Sequence, residues 1–165
     1  MIFVALGSNL ASPHFGDSQA TLEAALSRIA KTEGFRLLRR SRWYQSPAWP
    51  PSDQPSFVNG VAEVASELAP DLVMGALHDI EVAFGRTRKQ VNEARVLDLD
   101  LLTYHDLVSE EGAWPLLPHP RMAERAFVLR PLAEVAPQWR HPVLGETAAA
   151  LLSRLDAPQA AEPLD

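Results

Sequence analysis

Cysteine is absent from the 165 residues. That excludes disulfide bridges, thiolate metal sites and a cysteine nucleophile, and it agrees with a cytosolic setting. Also absent is any apolar run approaching the ~20 residues of a membrane span. The first residues lack the charged-then-apolar layout of a secretory signal. A soluble, cytoplasmic protein is expected. Nor is there an excess of positive charge. The formal net charge is −6, which argues against nucleic acid as a general partner, because such binding depends on many neutralised phosphates. Internal repeats and low-complexity segments are missing as well. A chain of this length fits one domain that can bury its core without staples. We assign that domain to residues 1–155 and expect 156–165 to be a disordered tail.

The positive charge that is present is local. Arg36, Arg39, Arg40 and Arg42 form one cluster, and Arg86, Arg88, Lys89 and Arg95 another. Such a distribution suits a small anionic ligand better than a long polyanion. The second cluster opens the stretch GRTRKQVNEARVLDLDLLTY, residues 85–104. Within it Val96-Leu97-Asp98-Leu99-Asp100-Leu101-Leu102 alternates as a half-buried strand does. Leu97, Leu99 and Leu101 face one way, Asp98 and Asp100 the other. At about 3.3 Å rise per residue the two carboxylates start roughly 6.5–7 Å apart, a span that one or two hard cations can bridge. Mg²⁺ typically takes one or two carboxylates plus substrate phosphates. A carboxylate pair beside arginines therefore points to a metal-bound polyphosphate, with the guanidinium groups meeting the remaining oxygens.

Residues 1–6, MIFVAL, read as a buried strand running into a Gly7-Ser8-Asn9 turn. Asp17 or Ser18 can cap a helix with Leu22, Ala25, Leu26 and Ile29 on one face and Gly34 past its end. Residues 35–44 read as a second strand. A stiff excursion follows over 45–56, carrying Pro47, Pro50, Pro51 and Pro55, with Trp49 near its tip. Residues 57–64 resume strand alternation and place Phe57 and Asn59 on one side. An aromatic face beside a carboxamide that both donates and accepts suits a flat heterocycle with an amide-like edge. Pro70 starts a helix with Leu72, Ala76, Leu77, Ile80 and Phe84 inward and Gly85 as its stop. His78 and Glu81 sit three residues apart on it. After the aspartate strand, His119 lies between prolines, and a helical stretch with Met122, Arg125 and Phe127 is broken by Pro131. A short amphipathic helix is expected over 146–155. The order β-α-β-β-α-β, with a helical C-terminal addition, predicts an α+β, ferredoxin-like antiparallel sheet.

Several motifs in this order resemble one family. GSNL (7–10), YQSPAW (44–49), DQPSFVNGV (53–61), GRTR (85–88), RVLDLDLL (95–102) and PHPRMAERAFVLRPL (118–132) are similar to those of the 6-hydroxymethyl-7,8-dihydropterin pyrophosphokinases of folate biosynthesis. The resemblance runs from about residue 2 to 140. It implies an ATP-dependent diphosphotransferase that moves pyrophosphate from ATP to the pterin hydroxymethyl group and releases AMP. By resemblance Asp98 and Asp100 hold two Mg²⁺ ions that bridge the phosphates of ATP. Arg86, Arg88, Arg95, His119 and Arg125 surround the triphosphate, and Glu81 belongs to the nucleotide side. The pterin lies between Phe57 and Phe127. Its edge is read by Asn59 and by the loop of Ser46, Pro47 and Trp49. A monomer with ATP and the pterin as its partners is expected.

One departure stands out. Many members carry a tryptophan between the GRTR-like and LDLD-like motifs, whereas here the stretch is Lys89-Gln90-Val91-Asn92-Glu93-Ala94. Trp49 is the expected substitute cover. Two other readings of the same pattern are a ferredoxin-like nucleotide- or RNA-binding module and a metal-dependent phosphohydrolase. The first would call for exposed aromatics in an RNP-like run and a basic balance, and neither is present.

Overall fold

The computed structural model describes residues 1–48, 51–85, 94–156 and 159–164. Its centre is β1 (Ile2–Ser8), hydrogen-bonded on one side to β4 (Phe57–Ala65) and on the other to β5 (Asp98–Tyr104), both antiparallel. Outside β4 lie β2 (Arg36–Arg40), then β3 (Tyr44–Ser46), and against β3 the short β6 (Glu162–Pro163). The result is a mixed α/β fold on an antiparallel sheet of order β5-β1-β4-β3-β6, with β2 also paired to β4.

The period-2 pattern of β1 feeds two separate cores. Ile2, Val4 and Leu6 face α1 (Ser18–Lys31) and α2 (Pro70–Ala83), where they meet Leu22, Ile29, Leu77 and Ile80. Phe3 faces the other way, with Val61 and Leu102, onto Leu129 and Leu132 of α3 (Ala126–Val135) and Leu151 of α4 (Ala148–Ser153). Helix α1 is capped as its sequence requires, Asp17 Oδ1 accepting from Ala20 N at 2.8 Å. Pro70 occupies the first turn of α2, and Gly85 follows its end at φ +93°.

Three local expectations are corrected. Residues 35–44 do not form one strand. The chain breaks over 41–43, where Trp43 lies across Gly60: a Cβ built there would stand 2.5 Å from its Cζ3. Ser41 takes over part of the ladder, its amide donating to Val61 O (2.8 Å) and its Oγ accepting from Val61 N (3.0 Å). Pro131 does not end its helix, which runs on to Val135. The burial of Val128, Leu129, Leu132 and Val135 outweighs the one lost backbone donor. The tail is not disordered over 159–164. Ala161 is only 1% exposed, Leu164 N donates to Trp43 O at 2.9 Å, and β6 extends the sheet at the β3 edge. The expected helix over 146–155 is present in a shorter form as α4, capped by Thr147.

Candidate active site

Helix α3 and the proline-rich segment leave one end of the sheet uncovered, and a cavity of about 550 Å³ opens there. Its floor is a single row across three strands. Gly7 of β1 pairs with Asp98 on β5 and with Asn59 on β4. Two strand spacings separate the backbones of Asp98 and Asn59, roughly 9–10 Å. Gly7 keeps the floor flat: a Cβ there would meet Asn59 Oδ1 at 3.0 Å and Phe57 Cδ1 at 3.9 Å. Asp100, opposite Ala5, points to the same side.

Around the carboxylates the lining carries the cations Arg95, Arg121 and Arg125, with His119 beside them. Arg95 Nη1 lies 3.0 Å from Asp98 Oδ2. Arg125, at the start of α3, sets its guanidinium 5.5 Å from the Phe127 ring centroid. Burial lowers its pKa from the ordinary value, and Asp100 is the largest opposing influence; the group stays charged. His119 is anchored by its amide to Leu102 O (2.8 Å), and its Nδ1 accepts from Arg121 N (3.2 Å). Burial, reinforced by Arg125, lowers its pKa from 6.5 to about 4. The ring is therefore neutral at pH 7, with its proton on Nε2, a donor that adds no charge.

This makes a prediction. Because the folded pKa lies below the ordinary one, the unfolded chain binds more protons between the two values, so stability is fully present above about pH 6.5 and is lost as pH falls toward 4. The loss from His119 is on the order of 2–3 kcal/mol. Urea melts at pH 7 and pH 4.5 should show a smaller difference for His119→Gln than for wild type. His141, also lowered by burial, adds to the slope in both.

At the far end of the row Asn59 is 5% exposed, and its Nδ2 donates to Ser46 Oγ at 2.8 Å. Phe57 of β4 and Phe127 of α3 line the cavity from two sides, with Pro47 beside them. Ser46 borders an adjoining recess of about 190 Å³ that shares Pro47 and Phe127. The structure thus brings together Asp98, Asp100, Arg95, His119, Arg125, Phe57, Asn59, Phe127 and Pro47, with Ser46 next to them. Arg86, Arg88, Trp49 and positions 89–93 lie outside the described residues.

Glu81 does not line the cavity. It is 2% exposed beneath β5, and its Oε2 accepts from Leu99 N at 2.7 Å. Leu99 lies between the two aspartates on an edge strand, whose outward amides need partners. Glu81→Ala is expected to lower stability by about 1–3 kcal/mol and turnover by roughly 10–100-fold, because the strand carrying both carboxylates loses its brace. Glu81→Gln keeps an acceptor and should lose less; melting and initial rates measured together check both.

Asn9, expected in a turn at the end of β1, is a junction. Its Oδ1 accepts from Arg95 N (2.8 Å), while its Nδ2 donates to Gln54 Oε1 (3.0 Å) and Pro55 O (3.2 Å). It ties the proline-rich segment to the backbone of Arg95. The signal in sequence was slight: an asparagine just past a buried strand, with partners 45 and 86 residues away.

Two half-buried carboxylates on one strand face, opening onto a cationic cavity, fit Mg²⁺. Among the described residues no group of three or more metal-type ligands exists, which leaves coordination positions for water and phosphate. With Phe57, Phe127 and Asn59 at the other end of the same floor, the cavity has the make-up expected of a transferase that handles phosphate groups. The model of the 7,8-dihydro-6-hydroxymethylpterin-pyrophosphokinase family matches residues 3–137, and the chain belongs to that family. It is 39% identical over 155 residues to the 2-amino-4-hydroxy-6-hydroxymethyldihydropteridine pyrophosphokinase of Methylorubrum extorquens, covering 93% of this chain and 92% of the relative. It is 41% identical over 141 residues to the enzyme of that name from Pseudomonas aeruginosa, covering 86% and 83%. A crystal structure of a triple-mutant HPPK-DHPS from Plasmodium falciparum matches the fold with a TM-score of 0.67 at 14% identity. The match covers 93% of this chain but only 44% of that longer protein.

Proposed function

We propose that this chain transfers the pyrophosphoryl group of ATP to the hydroxymethyl group of 6-hydroxymethyl-7,8-dihydropterin in folate biosynthesis. The observation that supports this reading is the row Asp98, Gly7, Asn59, which puts a carboxylate and a carboxamide on one floor. The pterin hydroxyl oxygen bonds to the β-phosphorus, and its proton passes to solvent. The bond from that phosphorus to the oxygen bridging the α-phosphorus breaks, and AMP leaves with that oxygen. Asp98 and Asp100 would hold Mg²⁺, two ions by family resemblance, which neutralises phosphate charge and acidifies a bound hydroxyl.

The protein's own contribution is position and charge. Arg95 and Arg125, with Arg86 and Arg88, meet phosphate oxygens; neutral His119 donates from Nε2. Phe57 and Phe127 hold the ring, and Asn59 reads its edge, to which Ser46, Pro47 and Trp49 are assigned by family resemblance. We read the four strands β5-β1-β4-β2 with α1 and α2 as a ferredoxin-like core to which β3, β6, α3 and α4 are added. We take the working state to be a cytoplasmic monomer. The test is AMP release from MgATP with the pterin present and omitted. AMP that depends on the pterin supports the proposal, ATP consumption without pterin indicates a phosphohydrolase, and no consumption leaves a binding module.

A further inference from the structure

Residues 159–164 lie beyond the span that matches the family, 3–137, yet Gln159 and Ala160 border the recess that adjoins the cavity. Gln159 makes two hydrogen bonds to the backbone at the start of α3. Its Oε1 accepts from Ala126 N at 3.0 Å and its Nε2 donates to Glu124 O at 2.8 Å. Those two backbone groups flank Arg125. Helix α3 receives no side-chain cap from its own N-cap residue, and the first amides of any helix lack intrahelical partners. Gln159 supplies one from 33 residues away. It thereby clamps the peptide from which the Arg125 guanidinium and, two residues on, the Phe127 ring enter the cavity.

The segment that carries Gln159 is anchored independently. Ala161 is buried, and its carbonyl accepts from Arg130 Nη1 at 2.7 Å. Beyond it β6 pairs with Tyr44 and Gln45, immediately before Ser46, the partner of Asn59. One short strap therefore touches the helical wall that presents Phe127 and the strand wall that presents Ser46. Gln159 and Ala160 also border the recess these walls share.

We propose that Gln159 is a positioning residue: through the 159–164 strap it sets the α3 wall against the β3 wall, and so fixes where Arg125 and Phe127 stand relative to the bound pterin. This rests on the assignment of those two side chains to the substrates made above. Arg125 and Phe127 act on the heterocycle and the moving group, while MgATP also has Arg95 and the β5 carboxylates. The effect must therefore be uneven between the two substrates.

The test is Gln159→Ala in the full chain, with steady-state kinetics, titration of each substrate and thermal melting. The expected result is a roughly 10-fold or greater fall in kcat/KM for the pterin, as for loss of other supporting hydrogen bonds. The Kd for MgATP should stay within about threefold, and Tm should drop by no more than about 3 °C. Gln159→Glu, which keeps an acceptor for Ala126 N but loses the donor to Glu124 O, should fall between wild type and Gln159→Ala. Wild-type kinetics in Gln159→Ala would overturn the proposal. So would equal losses for both substrates that merely track Tm. A wild-type protein that releases no AMP with the pterin would instead refute the function itself, so the two failures are told apart by the control.

Discussion

Asp100→Asn and Asp98→Asn are each expected to lower turnover by on the order of 10²–10³-fold or more, with the fold retained. Neither side chain belongs to a hydrophobic core. Both stand half-buried on the cavity face of β5, whose opposite face, Leu99 and Leu101, packs against α1 and α2. The amide is nearly isosteric and keeps one oxygen, but it loses the negative charge that attracts a hard cation. The two variants should differ in one respect. Asp98→Asn also dissolves the 3.0 Å ion pair with Arg95, so its MgATP affinity reflects a released guanidinium as well as a weakened metal site. AMP formation, together with circular dichroism and melting, decides the matter. Turnover within tenfold of wild type in both variants would remove these carboxylates from the reaction.

Asn59→Ala should weaken pterin binding by roughly 1–3 kcal/mol, about 5- to 150-fold in Kd, while the Kd for MgATP stays nearly unchanged. Asn59 sits on a central strand, paired with Gly7 on one side and Tyr44 on the other. Its backbone is thus fixed by the sheet whatever the side chain is. What the substitution removes is a donor and an acceptor at a buried edge, and with them the partner of Ser46 Oγ. Equal losses for both ligands would recast Asn59 as a purely structural residue.

Elements whose partners lie close in sequence were legible before the structure. The cap of α1 at Asp17, Pro70 at the head of α2, and the alternation that turns Asp98 and Asp100 away from Leu99 are written in spacings of one to four residues. Most of the cavity followed from these and from the motifs that resemble the family. What escaped was decided at long range. The break between β2 and β3 depends on Trp43 fitting over Gly60 of another strand. Asn9 gains meaning only when Gln54 and Arg95 are brought to it. Glu81 is assigned to the nucleotide side by family resemblance alone, whereas its burial and the Leu99 amide make it a brace for β5. The tail reads as disordered because its apolar residues, three alanines and Leu164, are too small and sparse to show a period, although the open edge of β3 takes up Ala161 and Leu164.

The bare floor at Gly7 has a consequence for selectivity. Because Asn59 and Asp98 hang from one row of the sheet, two strands apart, the gap between the ends proposed to read the ring and to handle the charge behaves as a fixed gauge. Loops over the cavity can adjust how tightly each ligand is held without altering that gauge. A pterin whose side arm is one bond shorter or longer would still dock its ring at Asn59 but would present its hydroxyl off station. Discrimination among such analogues should therefore appear in kcat far more than in ring affinity.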